Sequence, residues 1–401
     1  MKLTLERRME TVIQGLVFNE SNHKLDIMKI LNQKTFSAEE ESANYSLDGQ
    51  QLIINYQDGR TEIYHMLETS NHIVLESREG LDSLSGKWEY SMKSVEKSDD
   101  VSSNKQDDII LSEWISALDD KIPLRKMTIP GTHDSCTFGI HSSALIEDMS
   151  KCQTQPIHIQ LEEGIRFLDL RVGMTHDSVQ PEMWHDRISC HVSLVDVMNC
   201  CSKFLDKHPR EFIILSLQKE NHTSDCSLAI EVQKVLHRYS RVCGTEKMPT
   251  IGDLRGKILI IGGSNSASFV GLKDKNGICY LPFIDMQINQ KTAHFTIYDI
   301  TVYYQNQYNV PYSGFDSQTA YKKKIIDEFL ANQTFEAETL DYIGWNIYDW
   351  KYKISALAWA VNSLMDRSSS FMGTCEHGIQ LLDHYWVSLV SRLIKNNNFI
   401  K

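Results

Sequence analysis

The sequence predicts an α/β fold, an irregular TIM-like (β/α) barrel preceded by a small β-rich module, and three observations predict it. Short and nearly continuous apolar runs recur through residues 109–401 as RFLDLRV, FIILSL, KILIIGG, DITVYYQ and GIQLLDHYW, the texture of strands buried on both faces. Helical periodicity lies between them: Leu194, Val197, Met198, Cys201, Phe204 and Leu205 form one stripe, Ser193 and Asp196 give a capping-box start, and Pro209 follows the stop. No G-x-G-x-x-G or Walker motif accompanies the strands, which disfavours nucleotide-binding architectures. Repeated βα units favour a closed barrel, with an open doubly wound sheet as the second choice.

The first 92 residues read differently. QQLIINYQDGRTEIYHML places two apolar runs around Asp58-Gly59, a hairpin signal, and NHIVLESRE and GKWEYSMKS read as further strands. Residues 93–108, KSVEKSDDVSSNKQDD, keep no apolar period and read as a polar linker. The expected domains are therefore a β-rich module over 1–92, a linker over 93–108 and a barrel over 109–401.

A formal net charge of -12 spread over mixed acids and bases excludes a nucleic-acid binder, which needs a basic stripe. No stretch of 18 apolar residues occurs, and Met1 to Gly15, with Glu6, Arg7, Arg8 and Glu10, lacks the apolar centre of a signal peptide. The expected location is the cytoplasm, or outside the cell by a leaderless route, with transient contact at a membrane surface. Nine cysteines without a C-x-x-C pair fit neither a disulfide framework nor a zinc ribbon, so buried free thiols are expected.

Polar residues at strand ends are where a barrel does chemistry. Four places qualify: His133 and Asp134 in IPGTHDS, Asp169 and Arg171 in RFLDLRVG, His185 in MWHDR and Asp383 in LLDHYW. Asp169 and Arg171 stand two apart on one strand and so share a face. They read either as a buried ion pair or as a phosphate grip, because guanidinium suits a phosphate and two histidines lie nearby. Two imidazoles can divide acid and base work near neutrality. His23, His65, His208, His237 and His294 read as surface or core residues, as do His191 and His384.

The ordered segments IPGTHDS, GIRFLDLRVG, HPREFIILSLQKE, LRGKILIIGG and GIQLLDHYW resemble the phosphatidylinositol-specific phospholipase C family, in its bacterial, metal-independent branch, from about Trp114 to Asn398. The resemblance implies cleavage of phosphatidylinositol or a related inositol lipid to diacylglycerol and inositol 1,2-cyclic phosphate. It implies His133 as general base oriented by Asp383, His185 as general acid partnered by Asp134, and Arg171 as the phosphate ligand oriented by Asp169. It implies no cofactor and no metal: Asp134 replaces the asparagine of the calcium-dependent branch, and Arg171 replaces one of its acids. The substrate expected is a phospholipid at a membrane surface, with no obligate protein partner.

Three positions depart from the family pattern. Gly262 and Gly263 occupy a turn where a basic residue is expected, Gln218 replaces a lysine, and Asn306 with Tyr308 replaces an Asp-x-Tyr pair that contacts the inositol ring. Gln218, Asn306 and Tyr308 are the candidate headgroup contacts, Tyr308 reading equally as an ordinary rim aromatic. The segment 346–365, with Trp350, Tyr352 and Trp359, reads either as a membrane-touching element or as a barrel helix. The departures keep open a second function, a catalytically weak lipid-binding module. A metal-dependent glycerophosphodiesterase is a weaker third, since its carboxylate cluster is not visible.

Overall fold

The computed structural model describes residues 109–399 except 176–179, 221–224, 264–271, 284–288, 333–337, 369–376 and 398, together with the backbone of eight strands in the first 108 residues. The chain divides into two units, residues 1–107 with 386–388, and residues 108–385 with 389–401. In the first unit eight strands, from Lys2–Arg8 to Trp88–Met92, pair antiparallel in chain order, and Leu5 of the first meets Met92 of the last to close a barrel. The Asp58-Gly59 turn and the linker expected over 93–108 lie outside the described residues, but the strands flanking that turn, Gln51–Tyr56 and Thr61–Glu68, do pair antiparallel.

The second unit is built on β1 (Thr128–Thr132), β2 (Phe167–Met174), β3 (Pro181–His185), β4 (Ile188–Ser193), β5 (Ile213–Lys219), β6 (Val242–Cys243), β7 (Ile258–Gly263), β8 (Leu281–Phe283), β9 (Ala293–Ile297), β10 (Ile300–Gln305), β11 (Thr339–Gly344) and β12 (Gly378–Leu382). The sheet runs β6-β7-β5-β2-β1-β12-β11-β10-β9, parallel along this order except for the terminal β9–β10 hairpin, and the antiparallel β3–β4 hairpin branches from β2. The five apolar runs supply β2, β5, β7, β10 and β12, all central because their side chains tolerate burial on both faces. Full closure, which the repeated βα units favoured, is not reached among the described residues. At one margin β6 and the three-residue β8 hold the two ends of β7; at the other β9 folds back on β10. No ladder joins the two margins there, so the barrel is curled and half open.

Helices cover the outside. The predicted helix appears as α1 (Leu194–Lys207), with both capping-box bonds between Ser193 and Asp196 and with the six predicted apolar residues buried. The membrane-touching candidate folds as α2 (Ile354–Asp366), which buries Ile354, Leu357, Ala358, Val361 and Met365 as a barrel helix does. Among the described residues no helix is long and apolar enough to cross a membrane. Seven cysteines there are free thiols, four of them buried; Cys375 and the side chain of Cys226 fall outside the described set.

The amino ends of the strands are stapled by charge. Arg166, fully buried just before β2, pairs through Nε with Glu211 Oε2 at 2.9 Å and donates to the carbonyls of Leu161, Ile165 and Ser112. Glu211, equally buried ahead of β5, accepts from the Ser116 backbone N–H and hydroxyl at 2.7 Å. Removing one partner of such a pair leaves an uncompensated buried charge. Glu211→Ala is therefore expected to destabilise the protein by about 3–5 kcal/mol in denaturant unfolding.

Candidate active site

Sheet order brings distant residues together. β12, β1 and β2 are neighbours, so Asp383, His133 and the Asp169–Arg171 pair emerge side by side at the carboxyl rim. Gly131 has a packing cause: a Cβ there would stand 2.9 Å from Phe167 Cβ, where β1 and β2 approach closely. Thr132 donates to Gln160 at 2.7 Å and Ser135 to the Thr132 carbonyl at 2.8 Å, so both hydroxyls of the GTHDS turn hold its shape. The β3–β4 hairpin, which no sequence signal marked, delivers His185 from β2's far end.

Three positions share one backbone device. Asp134, Asp186 and His384, each following a chemistry-bearing residue, have φ of 43°, 53° and 41°, the left-handed region that non-glycine residues rarely adopt. Each N–H is captured: Asp134 N by Asp169 Oδ2 at 3.2 Å, Asp186 N by Glu220 Oε1 at 2.6 Å, and His384 N by the Cys152 carbonyl at 2.8 Å. Bends after His133, His185 and Asp383 are thereby fixed, and the side chains are aimed by backbone rather than by loop mobility.

Asp134 is the hub. Its Oδ1 lies 3.1 Å from Arg171 Nε, while its Oδ2 lies 3.5 Å from His133 Nε2 and 3.4 Å from His185 Nε2. His133 Nδ1 meets Asp383 Oδ1 at 2.8 Å, and Arg171 Nε donates to Asp169 Oδ2 at 3.2 Å. Asp134, Asp169 and Asp383 are buried, whereas His133, Arg171 and His185 keep partial access to solvent. All of these groups but Asp169 line a cavity of about 280 Å³ with Cys152, Glu220, Tyr308, Asn346 and Tyr348.

Burial and charge set the protonation. Burial works against a charged His133, but Asp134 and Asp383 outweigh it and raise the ring to about 9. His185 is lowered, first by burial, despite Asp134. Burial favours a neutral Asp134, yet His133, Arg171 and His185 hold it ionised at about 2. Burial pushes Asp169 up against the opposing pull of Arg171, and lifts Glu220 to about 7. Near neutrality one ring carries a proton and the other is free.

All six residues expected to do chemistry meet here, and the two readings of Asp169 and Arg171 merge: they are a buried ion pair whose guanidinium also faces the cavity. The headgroup candidates divide. Tyr308 lines the cavity, but Gln218 is wholly buried and donates to Asp169 Oδ1 at 3.1 Å, supporting the ion pair from beneath. Asn306 is buried as well, packed where a Cβ on Gly344 would strike it at 2.9 Å. Both are therefore placed away from the substrate space. Glu220 and Asn346 went unrecognised; Glu220 was detectable as the only acid closing the β5 run QKE.

Cations find the carboxylates partly taken. Asp134 and Asp169 share the Arg171 guanidinium, so oxygens that a hard divalent ion would need in its shell are already drawn upon.

Residues 127–263 match the family model described as phosphatidylinositol-specific phospholipase C, X domain. A 1-phosphatidylinositol phosphodiesterase of Listeria monocytogenes is 32% identical over 166 residues, covering 39% of this chain and 50% of that protein. One of Staphylococcus aureus is 27% identical, covering 41% and 55%, and the human PI-PLC X domain-containing protein 1 is 25% identical, covering 39% and 58%. The chain thus spans about half the length of these curated relatives. In structure it is similar to the Listeria phosphatidylinositol-specific phospholipase C, with TM-score 0.58 and 24% identity over 73% of this chain and 100% of that one. A Staphylococcus aureus enzyme gives 0.60 and 19% over 73% and 98%. Residues 127–263 are thus similar to the phosphatidylinositol-specific phospholipase C X domain, and the half-open barrel has the fold of the Listeria and Staphylococcus enzymes.

Proposed function

We propose that the chain cleaves phosphatidylinositol or a related inositol lipid to diacylglycerol and inositol 1,2-cyclic phosphate. The observation that carries this is the set of two imidazole Nε2 atoms and one guanidinium around a single carboxylate, at 3.4, 3.5 and 3.1 Å, within one cavity. A phosphodiester seated there places its anionic oxygens against Arg171, which stabilises the charge that develops at phosphorus. The 2-hydroxyl attacks the adjacent phosphorus within the same molecule, so proximity is built into the substrate. One ring removes the hydroxyl proton and the other protonates the departing glycerol oxygen, each contributing roughly 10²- to 10⁴-fold. No metal takes part in this scheme, because Arg171 supplies the positive charge.

Role assignment follows the proton. With His133 as base, as the family resemblance implies, the proton that His133 holds in the empty site must pass to His185 first, and Asp134 Oδ2 lies between the two rings. The incoming phosphate anion favours that transfer by raising the proton affinity of His185. The protonation of the empty site favours a second assignment, His185 as base and His133 as acid. A nitrophenyl ester of inositol phosphate needs no acid, so it rescues whichever histidine variant lacks one.

Tyr348, which lines the cavity and is 45% exposed, and Trp350, two residues on and 71% exposed, are proposed to meet the lipid surface, with no protein partner required.

Replacement of His133 or His185 by Ala is expected to reduce cyclic phosphate release at least ~100-fold with unfolding unchanged; near-normal turnover in either variant overturns the assignment. Excess chelator should leave the rate intact, and strict dependence on calcium refutes the role of Arg171. The rate requires one protonated and one neutral ring. It falls at low pH, where both are charged, and at high pH, where both are neutral. The profile of kcat/KM is therefore a bell whose acid limb lies below 6.5 and whose alkaline limb lies at about 9. Asp134→Asn removes the strongest influence raising His133, so its alkaline limb moves down.

A further inference from the structure

The two oxygens of Asp134 face different chemistry. Oδ1 is engaged by Arg171, but Oδ2 looks at three nucleophilic atoms: His185 Nε2 at 3.4 Å, His133 Nε2 at 3.5 Å and Cys152 Sγ at 3.8 Å. The catalytic reading uses the rings and leaves the thiol without a task. Zinc holds N and O ligands at about 2.0–2.2 Å and S at about 2.3 Å in a tetrahedron, which sets neighbouring ligand atoms about 3.3–3.8 Å apart. The separations from Oδ2 fall on those edges.

We propose that Asp134, Cys152 and His185 form a three-residue binding site for a thiophilic divalent cation, zinc foremost, and that its occupation inhibits the protein. Ligand-capable atoms of Asp134, Cys152 and His185 lie within 4.8 Å of one another. Thiolate, imidazole and carboxylate together select zinc over calcium or magnesium, which demand shells of oxygen that the guanidinium already draws upon. A neighbouring ion pair orients one ligand: Arg171 Nε lies 3.1 Å from the far oxygen of Asp134. Entry is through the cavity that Cys152 and His185 both line.

Binding is a proton-for-metal exchange. The Cys152 thiol gives its proton to solvent as sulfur donates a lone pair to the ion, and the His185 ring enters neutral with its Nε2 lone pair, so no oxidant or reductant is needed. That lone pair is one that proton transfer requires, so the occupied site cannot run the two-histidine reaction. The binding rests on geometry alone; the inhibition rests on the function proposed above.

The test uses the full chain, stripped with chelator and dialysed. Titration with cobalt is expected to give a thiolate-to-cobalt charge-transfer band that saturates at one ion per chain and that zinc displaces, while calcium produces neither band nor heat. Cys152→Ser is expected to lose the band and to weaken zinc binding at least ~tenfold by calorimetry, and His185→Gln to weaken it comparably. A cobalt spectrum free of thiolate ligation, or zinc affinity unchanged in both variants, overturns the proposal. The cobalt spectrum is read on the unaltered chain, so a variant that fails to fold does not remove the test. Zinc should also suppress cleavage of phosphatidylinositol, with chelator restoring it. If no cleavage occurs without zinc, the function reading fails and the titrations still decide this one.

Discussion

The Asp134 carboxylate is the constraint on which the site depends. It lies buried between a guanidinium and two imidazoles, and only that company keeps it ionised in a place where burial alone would neutralise it. In return it keeps His133 protonated and holds Arg171 beside Asp169. Three cationic or ionisable groups are thus gathered round one oxygen pair before any substrate arrives. A phosphodiester anion entering this setting meets charge that is already oriented, which is how electrostatic stabilisation works without reorganisation at the moment of reaction.

Holding that carboxylate in place takes backbone strain, and the fold supplies it locally. Asp134, Asp186 and His384 adopt left-handed φ directly after the residues that face the cavity, and each N–H is tied to an acceptor from another segment. Such conformations persist only when surrounding bonds over-determine them. At the opposite end of the strands the charged pair Arg166–Glu211 plays a purely structural part, knitting the entry segment 111–117 to β2 and β5. The two ends of one sheet thereby separate stability from chemistry, as barrels of this kind do.

The departures from the family pattern have a consistent physical meaning. Gln218 donates to the Asp169 carboxylate of the ion pair and Asn306 is buried, so neither lines the cavity. Glu220, Asn346 and Tyr348 present other polar groups to the cavity. His133, Asp134, Arg171, His185 and Asp383 stand together, and the cavity they line also holds an acid, Glu220, whose proton affinity burial has raised to about 7.

What the sequence determined by itself was whatever local chemistry encodes. Continuous apolar runs marked the central strands of the sheet, the Ser193–Asp196 box marked a helix start, and His133, Asp169, Arg171, His185 and Asp383 were recognisable as polar residues at or near strand ends. Only tertiary structure decided the rest. Strand order, which sets β12 beside β1 and β1 beside β2, brings Asp383 to His133 across 250 residues, and no periodicity reports it. The β3–β4 hairpin, the burial of Gln218 and Asn306, the incomplete closure and the approach of Cys152 to Asp134 depend likewise on non-local packing. Side-chain identity states what a residue can do; which residues stand within a few ångströms of one another is settled by long-range burial of apolar surface, to which a local pattern is blind.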